Sequence, residues 1–131
     1  MPKPLPFDTD VLIDYLRGRA EAVSYLESCS ERLMVSVISV AELCAGVREG
    51  KEHTALTGFL SAFETLLLDQ ATAQRGGLYR RDYGKSHNTG LAEALIAATA
   101  EVQQAQLITL NHQHFPMLKD VLVPYRKPGT A

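Results

Sequence analysis

Three acidic residues, Asp8, Glu42 and Glu93, occupy positions in the chain that a purely structural role does not fully explain. Asp8 follows a short extended stretch, and Glu42 lies one turn into a segment with helical spacing. Glu93 stands in segment 91–98, which is apolar on nearly every face of a helix. A buried glutamate is costly unless it is paired or bound to a metal. These carboxylates are therefore candidate functional groups.

Each acid also has a structural explanation. An Asp ahead of a helix is often an N-cap, and Asp10 suits that role better than Asp8 because it directly precedes the apolar helical set. The run Ser39-Val40-Ala41-Glu42 matches a capping box. Glu93 lies in a first helical turn, where negative charge complements the helix dipole. The sequence leaves both kinds of role open.

Three converging carboxylates would need a cation to offset their mutual repulsion. Oxygen ligands of this kind suit Mg²⁺ or Mn²⁺, hard ions that retain several waters. Such an ion activates water and offsets charge on a phosphoryl group during its transfer. The spacing of the acids allows each to come from a different unit of the fold, but it does not prove that they meet.

Polar residues after the last clear strand support this site. Thr109 and Asn111 offer neutral groups that could hold water or orient a carboxylate, although Asn is also common in turns. His112 and His114 form a His-x-His pair that suggests zinc. The alternation of side chains along a strand and the lack of a neighbouring thiolate argue against zinc.

Alternating elements predict an α/β fold. We expect a three-layer helix–sheet–helix domain with a short, mostly parallel sheet of four to five strands. Prolines at 2, 4 and 6 weaken the first strand, because proline cannot donate to the ladder. Ligands bind beyond the carboxyl ends of the strands in such sheets. The predicted strands are 5–7, 33–37, 65–68, 107–110 and 121–123. The predicted helices are 10–18, a second helix that contains residues 22–26, and then 39–50, 54–63, 70–83 and 91–105.

Composition narrows the class of protein. The 131 residues are 46% hydrophobic and carry a net charge of −2, which excludes intrinsic disorder and a strongly basic nucleic-acid module. Apolar stretches fall short of the roughly twenty residues needed to cross a bilayer, and no secretory signal opens the chain. We expect one cytoplasmic domain over 1–131. Cys29 and Cys44 are expected to be reduced, buried thiols.

Four segments together resemble the PIN domains of the VapC toxin type. Residues 8–16 (Asp-Thr-Asp-Val-Leu-Ile-Asp-Tyr-Leu) resemble the first family motif. Residues 36–43 (Ser-Val-Ile-Ser-Val-Ala-Glu-Leu) resemble the second motif, and Gly46 follows them. Segments 95–100 and 109–116 resemble the third and fourth motifs. The likeness covers nearly the whole chain in the right order, which makes it specific.

The resemblance implies a Mg²⁺-dependent endoribonuclease that is one half of a toxin–antitoxin pair. Asp8, Glu42 and Glu93 match the acidic metal-binding positions, although Glu93 stands where the family usually has aspartate. His114 replaces a fourth acid of many relatives, so one ion is expected rather than two. The family also implies a small antitoxin partner and a homodimer. Supporting roles are predicted for Thr9, Asp10, Ser39, Thr109, Asn111 and His114.

Two surfaces are candidate contact regions. The densest basic stretch contains Arg75, Arg80, Arg81 and Lys85, which could follow an RNA backbone or form a solvated helix face. An apolar groove between the first helices and those of 39–63 is the expected antitoxin site. Its candidate residues Leu43, Val47 and Leu56 could equally belong to the core.

Two other functions fit parts of the sequence. Asp8-x-Asp10 after a strand also resembles the nucleophile motif of haloacid-dehalogenase phosphatases. That chemistry requires a later pair of adjacent acids, which is absent downstream. A catalytically inert PIN-like interaction module is the other alternative, and the presence of all three acids argues against it.

Overall fold

Short parallel strands lie at the centre of the molecule, whose computed structural model describes residues 4–30 and 32–126. The strands are β1 (Pro6–Phe7), β2 (Met34–Ser36) and β3 (Glu64–Leu66). They pair in the order β1-β2-β3, and both pairings are parallel. Parallel bridges from Phe7 to Ile108 and from Ile108 to Leu122 continue the sheet beyond β1. β1 therefore lies between β2 and the Ile108 segment.

The helices connect and cover these strands. Their bounds are α1 (Thr9–Leu16), α2 (Ala20–Ser28), α3 (Val37–Ala45), α4 (Lys51–Leu60), α5 (Gln70–Tyr83) and α6 (Leu91–Val102), followed by a 3₁₀ turn at His112–His114. The parallel sheet with its helical connections confirms the predicted α/β class. The predicted helix 70–83 matches α5 at both ends. Its start is set by Asp69, whose carboxylate accepts from Thr72 N at 2.9 Å.

The sheet has fewer regular strands than the four to five that we predicted. Within the described residues there are three, and the predicted strands 107–110 and 121–123 appear only as single bridges at Ile108 and Leu122. Ladder bonds are present here: Asp8 N donates to Ile108 O at 2.8 Å, and Ile108 N donates to Pro6 O at 2.9 Å. Pairing stays short because α1 begins directly after Asp8. Pro6 remains in the sheet because its carbonyl, not its nitrogen, forms this bond.

Three predicted helix starts are wrong. The helix predicted over 54–63 is α4, which begins three residues earlier, at Lys51. The N-cap of α1 is Asp8 rather than Asp10, and its Oδ1 accepts from Thr9 N at 2.8 Å. The N-cap of α3 is Ser36, whose Oγ accepts from Ile38 N at 3.0 Å, so the predicted capping box at 39–42 does not form. α3 begins two residues earlier than predicted because β2 leads into it without a loop.

Small residues let α6 pack closely against the rest of the fold. Ala94, Ala97 and Ala98 are completely buried, and Ile96 lies in one core cluster with Leu107 and Phe115. A second core cluster surrounds β1 and β2; it contains Phe7, Val11, Leu12, Val35 and Ile108. Both clusters include residues of segment 107–110, so the core holds the chain that follows α6 against β1.

The two cysteines and the chain ends complete the comparison with the sequence. Cys29 and Cys44 are free thiols, but the prediction that both are buried is wrong, because Cys44 is exposed and Cys29 is half-buried. Pro2, one of the three early prolines, lies outside the described residues.

Among the described helices, none is both long and apolar enough to cross a membrane. The assignment of 1–131 to one domain stays a prediction.

Candidate active site

The candidate residues lie around the carboxyl edge of the sheet. Asp8 directly follows β1, and Glu42 lies in α3, which directly follows β2. Thr109 and Asn111 follow the bridge residue Ile108. Because these neighbouring segments are parallel, their carboxyl ends share one edge. The fold thus brings together groups that are far apart in the sequence.

Asp8 is buried, with 5% of the residue exposed, and both its oxygens accept hydrogen bonds. Oδ1 accepts from Thr9 N at 2.8 Å, and Oδ2 accepts from the hydroxyl of Thr109, also at 2.8 Å. These two donors fix the plane of the carboxylate. Asp8 therefore caps α1 and at the same time belongs to the candidate active site.

Thr9 links Glu42 to the carboxylate of Asp8. Its Oγ1 lies 2.6 Å from Glu42 Oε1 and 2.9 Å from the Oγ of the fully buried Ser39. A hydroxyl has one proton, and the carboxylate is the stronger acceptor, so Thr9 donates to Glu42 and accepts from Ser39. Glu42 itself is exposed, which leaves its carboxylate accessible.

Asp10 joins α1 to the segment after Ile108. Its Oδ2 accepts from Leu110 N at 3.1 Å and from Asn111 Nδ2 at 2.9 Å. The backbone N–H of Asn111 also donates to Thr109 Oγ1, at 3.1 Å. The role of Asp10 is thus to hold the 109–111 turn beside α1, where the sequence suggested a helix cap.

The electrostatic environment opposes ionisation of Asp8. Its pKa is raised to about 8, first by burial and then by the charge of Asp10, with a smaller contribution from Glu42. The hydrogen bonds from Thr109 and Thr9 act in the opposite direction and lower the pKa. Among residues 4–30 and 32–126, no basic side chain forms an ion pair with Asp8 or Glu42. The site therefore groups carboxyl groups for which the described residues provide no positive counterion.

Glu93 lies in the first turn of α6 and has different partners. Its Oε1 accepts from Gly90 N at 2.9 Å, the half of a capping box that a glycine N-cap allows. His114 Nδ1 lies 3.6 Å from the same oxygen. The expectation that Glu93 is buried is wrong, since 28% of its side chain is exposed while its neighbours Ala94 and Ile96 are buried.

The turn that contains His114 connects Glu93 to the other acids. His114 N donates to Asn111 O at 3.0 Å, and the Thr89 hydroxyl donates to His114 O at 2.8 Å. The imidazole Nδ1 lies 3.0 Å from Asn88 O. Asn111 thus joins the Glu93–His114 pair to Asp10 and Thr109.

The donor chemistry of the cluster fits a hard divalent ion. Carboxylates, hydroxyls and an amide surround it, and Mg²⁺ is commonly bound through one or two carboxylates while it retains several waters. Within the described part of the chain, no three His, Cys, Asp or Glu side chains are grouped closely enough to hold a metal by themselves. The fit thus rests on the Asp8 and Glu42 carboxylates and the charge that they bring together.

The four basic candidates lie on α5 and on the turn after it. All four are exposed. Arg75 pairs with Glu101, and Arg81 pairs with Asp82 at 2.8 Å. These two arginines therefore form ion pairs on the surface of the protein, as expected for a solvated helix face. The guanidinium of Arg80 lies over Gly84, where a side chain would collide with it. RNA binding by these residues stays a prediction.

An apolar groove of about 490 Å³ lies between α1, α3 and α4. Its walls include Leu43, Val47 and Leu56, the three residues named from the sequence, and Leu16, which is 44% exposed. Leu43 and Leu56 are also buried members of the core. Glu42 lines the groove as well, so the groove extends to the candidate active site.

One neighbouring interaction was missed from the sequence. Tyr125 donates to Oδ2 of the buried Asp14 at 2.8 Å, which fastens the end of the described chain to α1. Burial and the hydrogen bond to Asp14 raise the pKa of Tyr125, and the charge of Asp10 contributes. Neither residue lies in a motif that relates the two, and no local pattern announces their contact.

Comparisons with known proteins identify the family of this chain. The family model for the PIN domain matches residues 7–119. Ribonuclease VapC10 of Mycobacterium tuberculosis is 42% identical over 125 residues, which cover 93% of each chain. Ribonuclease VapC19 of the same organism is 41% identical over 123 residues, 90% of this chain and 97% of that protein.

A solved structure gives the same result in three dimensions. A toxin–antitoxin complex from Klebsiella pneumoniae contains a chain with a TM-score of 0.79 and 31% identity, covering 95% of this chain and 99% of that one. The haloacid-dehalogenase alternative has no support among these matches. This chain belongs to the PIN-domain family and, within it, to the VapC proteins.

Proposed function

We propose that this protein is a Mg²⁺-dependent endoribonuclease and the toxin of a toxin–antitoxin pair. The observation that carries the proposal is the cluster of Asp8 and Glu42 around Thr9, which has no basic counterion among the described residues. The names of the ribonuclease relatives support RNA as the substrate. RNA phosphodiesters are hydrolysed at this edge of the sheet.

Asp8 and Glu42 would hold the ion, with Glu93 as the third acidic group, directly or through water. Mg²⁺, or Mn²⁺ in its place, lowers the pKa of water and offsets charge on the phosphodiester when it is bound. The burial and negative surroundings that raise the pKa of Asp8 favour a cation beside it. A bound metal would thus supply the positive charge that the described residues do not bring to Asp8 and Glu42.

The chain's own side chains orient these groups and accept a proton. Thr9 and Thr109 hold the carboxylates of Glu42 and Asp8, while Asp10 holds the 109–111 turn. Both oxygens of Asp8 already accept hydrogen bonds, whereas Glu93 is partly exposed. We therefore assign Glu93 as the acceptor of the proton that the attacking water releases as it forms the new P–O bond, while the leaving oxygen takes a proton from solvent water as its bond to phosphorus breaks.

The Asp8→Asn variant tests the proposal. Asparagine keeps the shape of the side chain and removes the charge, so the fold should persist. We expect at least about a 100-fold loss of RNA cleavage, above the range of outer-shell metal substitutions. The assay follows a labelled RNA with Mg²⁺, with Mn²⁺ and with a chelator. Asp120→Asn is the matched control, because Asp120 is exposed and, within the described residues, its side chain bonds only to Gln106 Nε2, at 2.9 Å.

Titration calorimetry with Mg²⁺ separates the nuclease from an inert module. The wild type should bind the ion, and Asp8→Asn should bind it more weakly. A wild type that binds no Mg²⁺ and cleaves no RNA would instead favour the interaction module. Hydrolysis of a small phosphoester by the wild type would favour the phosphatase alternative.

The proposed partner is a small antitoxin that occupies the apolar groove. Support comes from the toxin–antitoxin complex whose chain resembles this one, and from the exposed Leu16 on the groove wall. Because Glu42 lines the groove, an occupant also covers one acid of the site. Self-association into a homodimer is part of the same proposal, and light scattering of the purified chain tests it.

A further inference from the structure

A row of three aromatic rings runs along the end of α5 into the turn that follows it. Tyr79 and Tyr83 have ring centroids 6.2 Å apart, and Tyr83 and His87 have centroids 5.7 Å apart with rings inclined at 75°. The hydroxyl of Tyr79 donates to Glu101 on α6, which anchors the row at its inner end. His87 forms the outer end and is exposed.

The exposed imidazole of His87 is held in place from several sides. Its Nδ1 lies 2.8 Å from Ser86 Oγ, and its backbone N–H donates to Tyr83 O at 3.0 Å. The next residue, Asn88, has a φ of 54°, a left-handed conformation that asparagine tolerates better than most residues. An exposed ring that is already ordered loses little entropy when it stacks on another ring.

The turn after His87 contacts His114, which lies beside Glu93. Asn88 O lies 3.0 Å from His114 Nδ1, and that nitrogen lies 3.6 Å from Glu93 Oε1. A short chain of contacts through Asn88 and His114 therefore joins His87 to Glu93. This proximity relates the aromatic row to the same substrate as the acidic site.

Positive charge flanks the rings. Arg80 and Lys85 are exposed, and within the described residues neither forms an ion pair with a carboxylate. Arg80 lies over Gly84, which places its guanidinium at the turn that carries His87. Exposed rings interleaved with basic side chains are the usual means of binding single-stranded nucleic acid, where the bases stack and the phosphates contact cations.

We propose that His87, supported by Tyr83, stacks against an unpaired base of the RNA, and that Arg80 and Lys85 contact the flanking phosphates. The inference rests on the proposed nuclease function and adds a preference for single-stranded RNA. A base inside a duplex is already stacked and its faces are not accessible to the imidazole. His87 is a positioning residue for the strand, since it does not touch the reacting phosphodiester.

The experiment measures RNA affinity in the Asp8→Asn background with a chelator present, so that no cleavage occurs. The probe is a fluorescein-labelled, mixed-sequence single strand of about 15 nucleotides, close to the size that one binding domain covers. We expect His87→Ala to weaken the Kd about tenfold, and His87→Phe to stay within about threefold of the parent, because a phenyl ring also stacks. His53→Ala is the matched control, since His53 is an exposed histidine on α4.

Measurements of affinity for duplex RNA, and of the salt dependence of binding, separate the contribution of base stacking from that of charge. His87→Ala should leave the Kd of a paired RNA of equal length unchanged. Arg80→Gln and Lys85→Gln should weaken both RNAs and reduce the salt dependence of single-strand binding by about 0.7 per phosphate contact. In the cleaving wild-type background, His87→Ala should raise KM and leave kcat at saturating RNA unchanged.

Several outcomes overturn the proposal. An affinity for His87→Ala equal to that of His53→Ala does so, as does an equal loss on duplex RNA. A loss that His87→Phe does not recover indicates a structural role instead. A change in oligomeric state with unchanged RNA affinity would assign the rings to a protein contact. If the wild type cleaves no RNA while His87→Ala still loses single-strand affinity, the nuclease function fails and the stacking site stands.

Discussion

The hydroxyl of Thr109 donates to Oδ2 of Asp8 at 2.8 Å, although 101 residues separate the two in the chain. The bond exists because Ile108, the residue before Thr109, pairs with Phe7, the residue before Asp8. Both polar side chains leave the sheet at the same edge. Thr109 is completely buried, so its hydroxyl orients the carboxylate without competition from water.

Thr109→Val tests this orientation. Valine keeps the branched shape and removes the hydroxyl, which leaves Asp8 Oδ2 without its donor. We expect RNA cleavage to fall about 10- to 100-fold, as for other groups that orient a metal ligand. Thr109→Ser should recover most of the activity. Thr99→Val is the control, because the buried hydroxyl of Thr99 donates to Leu95 O within α6, away from the acids. Equal losses in both valine variants would contradict a specific role.

The raised pKa of Asp8 predicts a pH-dependent stability of the metal-free protein. Its folded-state pKa of about 8 lies above the ordinary 3.8, because burial and then the charge of Asp10 disfavour the carboxylate. The folded chain therefore binds more protons than the unfolded chain between these values. The contribution of Asp8 is greatest below pH 3.8 and is lost as the pH rises toward 8.

The measurement is chemical unfolding in a chelator at a series of pH values. The free energy of unfolding of the wild type should fall, relative to that of Asp8→Asn, as the pH rises. Comparison with Asp8→Asn removes the contributions of other titrating groups. A difference that grows in the opposite direction would show that the ionised carboxylate is favoured in the fold.

Leu16→Glu tests the groove. Leu16 is 44% exposed and lines the groove, so a charged side chain there disrupts an apolar contact at little cost to the core. We expect the variant to bind the proposed antitoxin at least about tenfold more weakly, because burial of a leucine side chain contributes about 1.5–3 kcal/mol and a tenfold change in Kd corresponds to about 1.4 kcal/mol. RNA cleavage by the isolated variant should be unchanged. Leu78→Glu is the control, since Leu78 is similarly exposed on α5. An unchanged antitoxin affinity would place the partner elsewhere.

Tyr125→Phe tests the fastening of the described C-terminal segment to α1. The change removes the O–H that donates to buried Asp14 and keeps the ring. A buried carboxylate that loses a donor costs about 1–3 kcal/mol of stability. We expect a lower melting temperature, and Tyr15→Phe serves as a control because Tyr15 stacks on Phe59 through its ring. An unchanged melting temperature would show that the ring alone holds the segment.

Local sequence patterns predicted the elements better than their ends. Helix α5 was predicted at both bounds because its cap residue Asp69 and its following glycine act on neighbouring residues. Helix α6 ends at Val102 rather than at 105, since Gln104 adopts a φ of 53° without any glycine to announce it. Ser39 and Glu42 have the spacing of a capping box, yet α3 is already capped by Ser36, and both side chains turn to Thr9 instead.

By itself, the sequence determined the alternation of strands and helices, the α/β class and the family to which the chain belongs, because periodicity, caps and motifs act over a few residues. The tertiary structure alone decided which acids meet. Asp8, Asp10 and Glu42 are joined through Thr9, Thr109 and Asn111, whereas Glu93 pairs with Gly90 and His114. The physical reason is that these contacts depend on strand pairing between distant segments, and no local pattern encodes that pairing.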